Sequence, residues 1–493
     1  MTLLDTLDLV PPAIGVPAYD RAAHGVGIVH IGLGAFVRAH LAVYTEDAIA
    51  MAGGDWRIAC VGLRAKESLD ALNAQNGLYT LLVRGARTKA RVPGVLGRAL
   101  HAPSEPQALI ELMAAPSTRI VSLTITEKGY GIAPATGGLD LTDPAIAADL
   151  ASNLSAPRSA VGLIVAALAR RRAERAGPFT ALSCDNLPEN GKILKRLVLD
   201  FAGRIDPALA AWIEAAVTFP STMVDRITPP QTATTRADAK ALLGVEDRAA
   251  IETEPFSQWV VEDDFCAGRP AWEKAGAVMV TDVRPYERMK LSMLNGTHSL
   301  LAYAGFLAGH RFVRDAMGDP ALAALTERHM RAAAATLGPV PGIDLDAYRE
   351  ALLARFANPA IDHPTAQIAM DGTQKLPIRV FDPALAALAR GQDISSFAFA
   401  AAAWMAYARG QAADGSSYAL RDPRAAEIAE RTAGAGNDPE ALYDALATLP
   451  GFMPERLATH PGWRDATRSR LATMLARAMR RAIDVEAGGP ARR

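Results

Sequence analysis

Short, unbroken apolar runs alternate with helix-compatible stretches through the first part of this chain. The first run, residues 27–31 (GIVHI), stops at Gly32, and residues 35–50 behind it have the composition and length of a helix. Strand, glycine turn and helix open a parallel βαβ unit. Further buried-strand candidates at 58–62, 120–125, 180–184 and 217–219, with helical segments 107–114 and 159–176 among them, extend the pattern. They predict an α/β fold with a doubly wound sheet over residues 1–285. After Tyr286 the texture changes to Ala- and Leu-rich helical periods, clearest at 321–335, 345–356, 383–389, 397–408 and 463–483. A mainly α-helical second domain is therefore expected at 286–493.

Composition narrows the function classes. The 52 Lys and Arg nearly cancel the 53 Asp and Glu over 493 residues, so there is no basic surplus for a nucleic-acid backbone. Cys60, Cys184 and Cys266 are odd in number and widely spaced. They form neither a disulfide framework nor a zinc-ligand pattern, which points to a reducing cytoplasm and no metal. The N-terminus lacks the basic start and apolar core of a signal peptide. The apolar runs 161–168 and 397–408 fall short of the ~20 residues that span a bilayer. A soluble cytoplasmic protein with no membrane or nucleic-acid partner is expected.

The turn at 30–38 reads H-I-G-L-G-A-F-V-R. Gly32 and Gly34 let the chain turn sharply and let backbone N–H groups approach a pyrophosphate. Phe36 and Arg38 lie in the same turn, and the four residues are the candidate cofactor contacts. Val37 stands where a third glycine of the dinucleotide fingerprint would fall, so a turn that binds nothing is the alternative. Beyond the second strand, Glu67 could accept hydrogen bonds from ribose hydroxyls and repel a 2′-phosphate, whereas Lys66 could welcome that phosphate. NAD is the expected cofactor and NADP stays open, as does a purely solvated role for both charges.

The most informative stretch is residues 286–300, Y-E-R-M-K-L-S-M-L-N-G-T-H-S-L. On an α-helix with Lys290 at 0°, His298 falls at about 80° and Asn295 at about 140°, so the three polar groups share one face. A helix this apolar is buried, and a buried Lys is costly without a function or a partner. Oxidising a secondary alcohol without a metal requires a protein base for the hydroxyl proton. Lys290 qualifies if desolvation lowers its pKa. Asn295 and His298 would donate to the developing alkoxide, and Glu287, one turn earlier, could pass the proton to solvent. A structural ion pair for Lys290 and a core hydrogen bond for His298 are the bland alternatives.

The segment K-L-S-M-L-N-G-T-H-S resembles the signature of the polyol-specific long-chain dehydrogenases, the mannitol dehydrogenase family. So do I-G-L-G-A-F-x-R-A-H at 31–40, S-L-T-I-T-E-K-G-Y at 122–130, S-C-D-N-L-P-E-N-G at 183–191, T-M-V-D-R-I-T-P at 222–229, R-P-A-W-E-K at 269–274 and V-P-G-I-D-L at 340–345. The resemblance runs in order over nearly the whole chain. It implies a Rossmann-like N-terminal domain and a zinc-independent, nicotinamide-dependent reaction between a secondary alcohol and a 2-ketose. It further implies Lys290 as general base, Asn295 and Asn186 as the pair polarising the reacting oxygen, and His298 and Asp225 as substrate contacts.

Residues 367–379, Q-I-A-M-D-G-T-Q-K-L-P-I-R, resemble the fructuronate reductase (D-mannonate oxidoreductase) branch, since mannitol-oxidising members usually carry Arg where this chain has Gln367. Arg379 could grip a sugar-acid carboxylate through two parallel hydrogen bonds, and Lys375 would add a second positive group. The alternative for Arg379 is a surface charge or a partner for Asp382. The expected partner is thus a small sugar acid, most simply D-mannonate and D-fructuronate. A neutral polyol such as mannitol or arabinitol is the rival, and a non-catalytic nucleotide sensor is the remote one. Relatives of this kind imply a monomer or a weak homo-oligomer.

Overall fold

The computed structural model describes residues 2–63, 66–133, 136–411 and 416–488. The chain divides into two compact units, Met1–Arg284 and Pro285–Arg493.

The first unit is built on a five-stranded parallel sheet. Its strands are β1 (Val26–Ile31), β2 (Arg57–Gly62), β3 (Leu96–His101), β4 (Ile120–Leu123) and β5 (Thr180–Ser183), in the order β3-β2-β1-β4-β5. In register, His30 lies beside Cys60 on one side and Ser122 on the other, and Ile120 lies beside Thr180. Strands buried on both faces read as continuous apolar runs, and here alternate residues feed two different cores. Val29, Ile31, Val61, Val121 and Leu123 join Leu163, Leu197 and Ile213 from the helices Ala160–Glu174, Asn190–Ile205 and Pro207–Ala216. Ile28, Ile58, Cys60 and Ile120 join Leu41 and Ile49 of the helix Leu41–Ala52, together with Trp259 and Trp272. The sheet is therefore doubly wound, as the alternation predicts.

Two local expectations are corrected. The helix expected over 35–50 is two helices, Ala35–Ala39 and Leu41–Ala52, broken at His40 (φ −122°, ψ −88°). The His40 ring stacks on Phe36, packs against Tyr44 and Trp259, and places Nε2 3.1 Å from the Gln258 carbonyl, which fixes the break. Residues 217–219 are not a strand. Pro220 follows them and lacks a donor, and the one ladder-like bond runs from Ala181 N–H to the Thr218 carbonyl (3.0 Å). The strand comes later, as Thr222–Asp225. It pairs antiparallel with Gln258–Glu262, which pairs in parallel with Val278–Val280. A second small sheet joins Leu81–Arg84 with Thr88–Arg91 and Ile251–Thr253. Both small sheets escape the sequence reading because their strands are three to five residues long, and each sheet is completed by a strand far along the chain.

The second unit is helical. At its centre Ser395–Ala408 is buried at every residue from Ser396 to Ala408, and it packs against Pro461–Glu486 and Thr297–Leu307. Burial all round explains why this twelve-residue apolar run looks membrane-like while belonging to a core. Among the described residues no helix is long and apolar enough to cross a membrane.

Candidate active site

The glycine turn leaves the C-terminal end of β1. Gly32 has φ +107°, and a Cβ there would sit 2.0 Å from the Thr124 carbonyl oxygen, so only glycine fits. Beneath it, the His30 ring spans Ser122 Oγ and Thr124 Oγ1, both at 2.8 Å, and burial pushes its pKa down to about 3. A Cβ on Gly34 would meet nothing nearer than the Phe36 nitrogen at 3.9 Å, so this backbone is open to approach. The turn thus has what a pyrophosphate needs: a sharp bend and bare main chain. Phe36 is stacked on His40. Arg38 has a different position: it is buried, donating from Nε to the Gly34 carbonyl (3.2 Å) and from Nη1 to the Ala249 carbonyl. Its guanidinium supports the loop from within. Glu67 opens the helix Glu67–Ala74 and is exposed, as is Lys66.

Asn186 follows β5 at an exposed position. The preceding Asp185 is buried and accepts from Ile125 N–H (2.9 Å), Thr126 N–H (2.9 Å) and Tyr130 Oη (2.7 Å), holding Thr126 at φ +64°. Burial raises the Asp185 pKa, and those donors oppose the rise. Asn190 donates to the Asp185 and Thr222 carbonyls and accepts from Thr222 N–H. The 183–191 motif is thus largely a clamp that ties two loops to the end of the sheet and leaves Asn186 at its tip. Asp225 is buried at the end of its strand, paired in register with Gln258.

In the second unit the helix Arg284–Met289 does not continue as an α-helix. Lys290–Gly296 is a π-helix, and α geometry resumes at Thr297–Leu307. Because π-helices bond i to i+5, Lys290 and Asn295 have the spacing of a hydrogen-bonded pair here, and the offset of about 140° that an α-helix would impose does not apply. Lys290, Asn295 and His298 are 7, 9 and 6% exposed. Asn295 Oδ1 and His298 Nε2 are buried with no hydrogen-bond partner among the described residues. Glu287 is buried one turn before Lys290.

A second π-helix, Pro377–Phe381, carries Arg379. The two π segments meet at the backbone: a Cβ on Gly296 would lie 2.7 Å from the Arg379 carbonyl oxygen and 3.3 Å from His329 Nε2. Arg379 Nη1 lies 3.5 Å from Ser299 Oγ, which itself donates to the Asn295 carbonyl. The His298 imidazole is held well below its ordinary pKa, first by burial and then by the charges of His363, Arg355, Arg379 and Lys290. Its ring lies 4.3 Å from that of Phe356 and 5.2 Å, edge-on, from that of His363. Burial and the Arg355 charge push His363 down to about 4. Arg355, Phe356 and His363 escape the sequence reading, because no spacing ties them to a helix more than fifty residues earlier.

The rest of the 367–379 motif largely shapes the loop before Arg379. Gln367 is exposed. Lys375 Nζ donates to the Met370 (2.5 Å) and Ile368 (3.3 Å) carbonyls. A Cβ on Gly372 would strike Trp404 Nε1 at 2.2 Å. On another face of the π segments, Leu291, Ser292, Ile378 and Asp382 line a cavity of about 370 Å³ with Arg288 and Arg390, and none of the predicted site residues lines it. Among the described residues no cluster of three His, Cys, Asp or Glu could hold a metal ion.

Comparison with known proteins agrees with this layout. The family model for the mannitol dehydrogenase Rossmann domain matches residues 26–274, and that for the mannitol dehydrogenase C-terminal domain matches residues 282–449. The uncharacterized oxidoreductase YeiQ of Escherichia coli is 46% identical over 455 residues, covering 92% of this chain and 93% of its own. The D-mannonate oxidoreductase of E. coli is 45% identical over 418 residues, covering 84 and 86%. The structure of Pseudomonas fluorescens mannitol 2-dehydrogenase, a ternary complex with NAD and D-mannitol, superposes with a TM-score of 0.86 at 37% identity, covering 99% of this chain and 100% of that one. With both halves matched and relatives this similar along most of its length, the chain belongs to the mannitol dehydrogenase family of oxidoreductases.

Proposed function

We propose that this chain is a cytoplasmic, NAD-dependent dehydrogenase that interconverts a secondary alcohol and a 2-ketose, with D-mannonate and D-fructuronate as the substrate pair. Residues 1–285 hold the cofactor at Gly32, Gly34 and Phe36, with Arg38 bracing the turn and Glu67 at the ribose. Residues 286–493 carry the base, and the protein acts as a monomer or weak homo-oligomer. NAD, when bound, accepts the hydride from the carbinol carbon. The chain's own work is on the proton. Lys290, sheltered from water, takes the hydroxyl proton as its neutral amine, and Glu287 hands it on. The Asn295 amide N–H and the His298 imidazole N–H donate to the oxygen as it gains charge, and His298 Nε2 has no hydrogen-bond partner among the described residues. Asn186 and Asp225 are further proposed contacts, to the reacting oxygen and to a substrate hydroxyl. Gln367 and Lys375 complete the proposed substrate set, Lys375 by holding the loop that leads to Arg379.

The observation that carries the reading is the burial of Lys290, Asn295 and His298 on one helical stretch. The preference for a sugar acid is supported by Arg379 and by the 45% identity to a D-mannonate oxidoreductase. Oxidation of a neutral polyol is the second reading, favoured by the solved relative that binds D-mannitol. Two measurements test this. Turnover of D-mannonate and D-mannitol with NAD should favour the acid, and a clear advantage for mannitol would move the assignment to the polyol. Lys290→Ala should lower kcat about 10²- to 10⁴-fold near neutral pH, with NAD affinity retained. Undiminished turnover would remove Lys290 from the base's role.

A further inference from the structure

The cavity beside the two π segments holds none of the groups proposed for the chemistry, and all of its walls belong to the second unit. Its volume of about 370 Å³ lies at the lower end of the range that accommodates small ligands. Leu291, Leu337, Ile378 and Pro383 give it an apolar surface, and Ile378 is 40% exposed. Its hydroxyl protons are already engaged: Ser292 Oγ donates to the Arg288 carbonyl (2.7 Å) and Thr336 Oγ1 to the Ala333 carbonyl (2.7 Å). The two cations of the wall keep donors to offer. Arg390 Nη1 donates to the Ala335 carbonyl (3.0 Å), which holds the guanidinium beside Thr336 and Leu337, and its other N–H groups have no partner among the described residues. The Arg288 guanidinium makes no hydrogen bond or ion pair among the described residues, and its charge opposes the rise that burial gives the pKa of Asp382. Two guanidiniums and one carboxylate leave the wall with surplus positive charge. A ligand carboxylate matches a guanidinium in charge and in planar geometry, Asp382 can accept from hydroxyl groups, and the aliphatic wall suits carbon-bound hydrogens. Inorganic phosphate would satisfy the arginines alone.

The cavity's position gives an occupant leverage. Leu291 and Ser292 follow Lys290 in the first π segment, and Ile378 precedes Arg379 in the second. A molecule seated on them touches both segments, whose backbones already meet at Gly296. We infer that this cavity is a regulatory site for a small hydroxylated carboxylic acid, held at its carboxylate by Arg288 and Arg390, whose binding alters turnover through the two π segments. Such a ligand acts by binding two arrangements of these segments unequally. The inference holds for either substrate class.

The probe is 2-hydroxyisobutyrate, whose tertiary hydroxyl cannot be oxidised to a ketone. It is titrated calorimetrically into the full chain with NAD, and added to steady-state oxidation of D-mannonate or D-mannitol, whichever the wild type turns over. The probe should bind and change kcat, which competition at the reacting site alone would not do. Arg288→Gln and Arg390→Gln should each weaken binding about 10- to 100-fold and abolish the change in kcat. Their kcat/KM without the probe should stay within about twofold of wild type. Ala386→Trp, which fills the cavity and leaves its charges in place, should also abolish binding. Inorganic phosphate should bind more weakly than the probe. Absence of binding to the wild type would overturn the inference, as would binding that raises KM alone and is unaltered in Arg288→Gln. Binding lost in the variants but without effect on wild-type turnover would overturn the regulatory role. Phosphate equalling the probe would overturn the assignment to a hydroxylated acid.

Discussion

Substituting Gly296 by alanine tests whether the contact between the two π segments sets the site's geometry. A methyl group at 296 would lie 2.7 Å from the Arg379 carbonyl oxygen, where ordinary contact begins at 3.4 Å, so one segment must yield by about 0.7 Å. The atom it meets is backbone, which cannot rotate away. Overpacking of this kind costs about 1–3 kcal/mol, and replacing glycine inside a helix returns about 1 kcal/mol. A net loss of about 0–2 kcal/mol should lower Tm by at most roughly 8 °C for a unit of this size. Activity should fall further than stability, because Asn295 precedes the strained residue and Arg379 carries the opposing carbonyl. Misplacement of about 1 Å can cost 10²-fold, so kcat/KM should drop by about 10- to 100-fold. Steady-state oxidation of D-mannonate with thermal unfolding measures both, and Gly338→Ala is the control, since a Cβ there meets nothing within 4 Å. Wild-type kcat/KM in Gly296→Ala would refute the idea that this contact positions the chemistry.

Two further outcomes concern the cofactor turn and pH. Gly32→Ala should abolish measurable NAD binding and destabilise the first unit, since the new Cβ would lie 2.0 Å from the Thr124 carbonyl at a positive φ; retained affinity by fluorescence titration would contradict this. His329 is fully buried with its pKa pushed down to about 4, so it stays neutral in the folded chain while the unfolded chain binds a proton below about pH 6.5. Its neutral burial costs nothing above that pH, and stability is lost as pH falls from about 6.5 towards 4, by about 2 kcal/mol at pH 5. Denaturant melts at pH 7.5 and 5 should show His329→Phe losing less stability than wild type over this interval, and an identical fall in both would exclude His329 as a contributor.

Where the pattern of the fold is local, the sequence discloses it. The runs at 27–31 and 58–62 are apolar enough to be strands buried on both faces, and the structure finds β1 and β2 within a residue of them. Helix 345–356 coincides with Leu345–Phe356. What depends on distant partners is hidden. The strand Thr222–Asp225 exists because Gln258–Glu262 pairs with it, and Phe356 and His363 gather around His298 only through the packing of a separate helix and a loop. The helical wheel for Lys290, Asn295 and His298 expects burial, and all three are buried, but it uses the wrong repeat, since no composition rule distinguishes a π turn from an α turn. Arg38 shows the converse: a motif residue is easy to find, yet a role in bracing the turn is visible only when its guanidinium is seen bonded to two carbonyls.

A π turn uses one residue more than an α turn needs, so the helix that carries Lys290 holds a surplus residue between Lys290 and His298. That surplus sets the phase of everything after it. Losing a single codon anywhere from 291 to 294 would let the segment relax into regular helix, where four residues at about 100° each bring the asparagine to about 40° from Lys290, so the segment shortens along its axis while every side chain stays chemically intact. A deletion of this kind separates the length of the segment from its composition, which no single substitution within it can do.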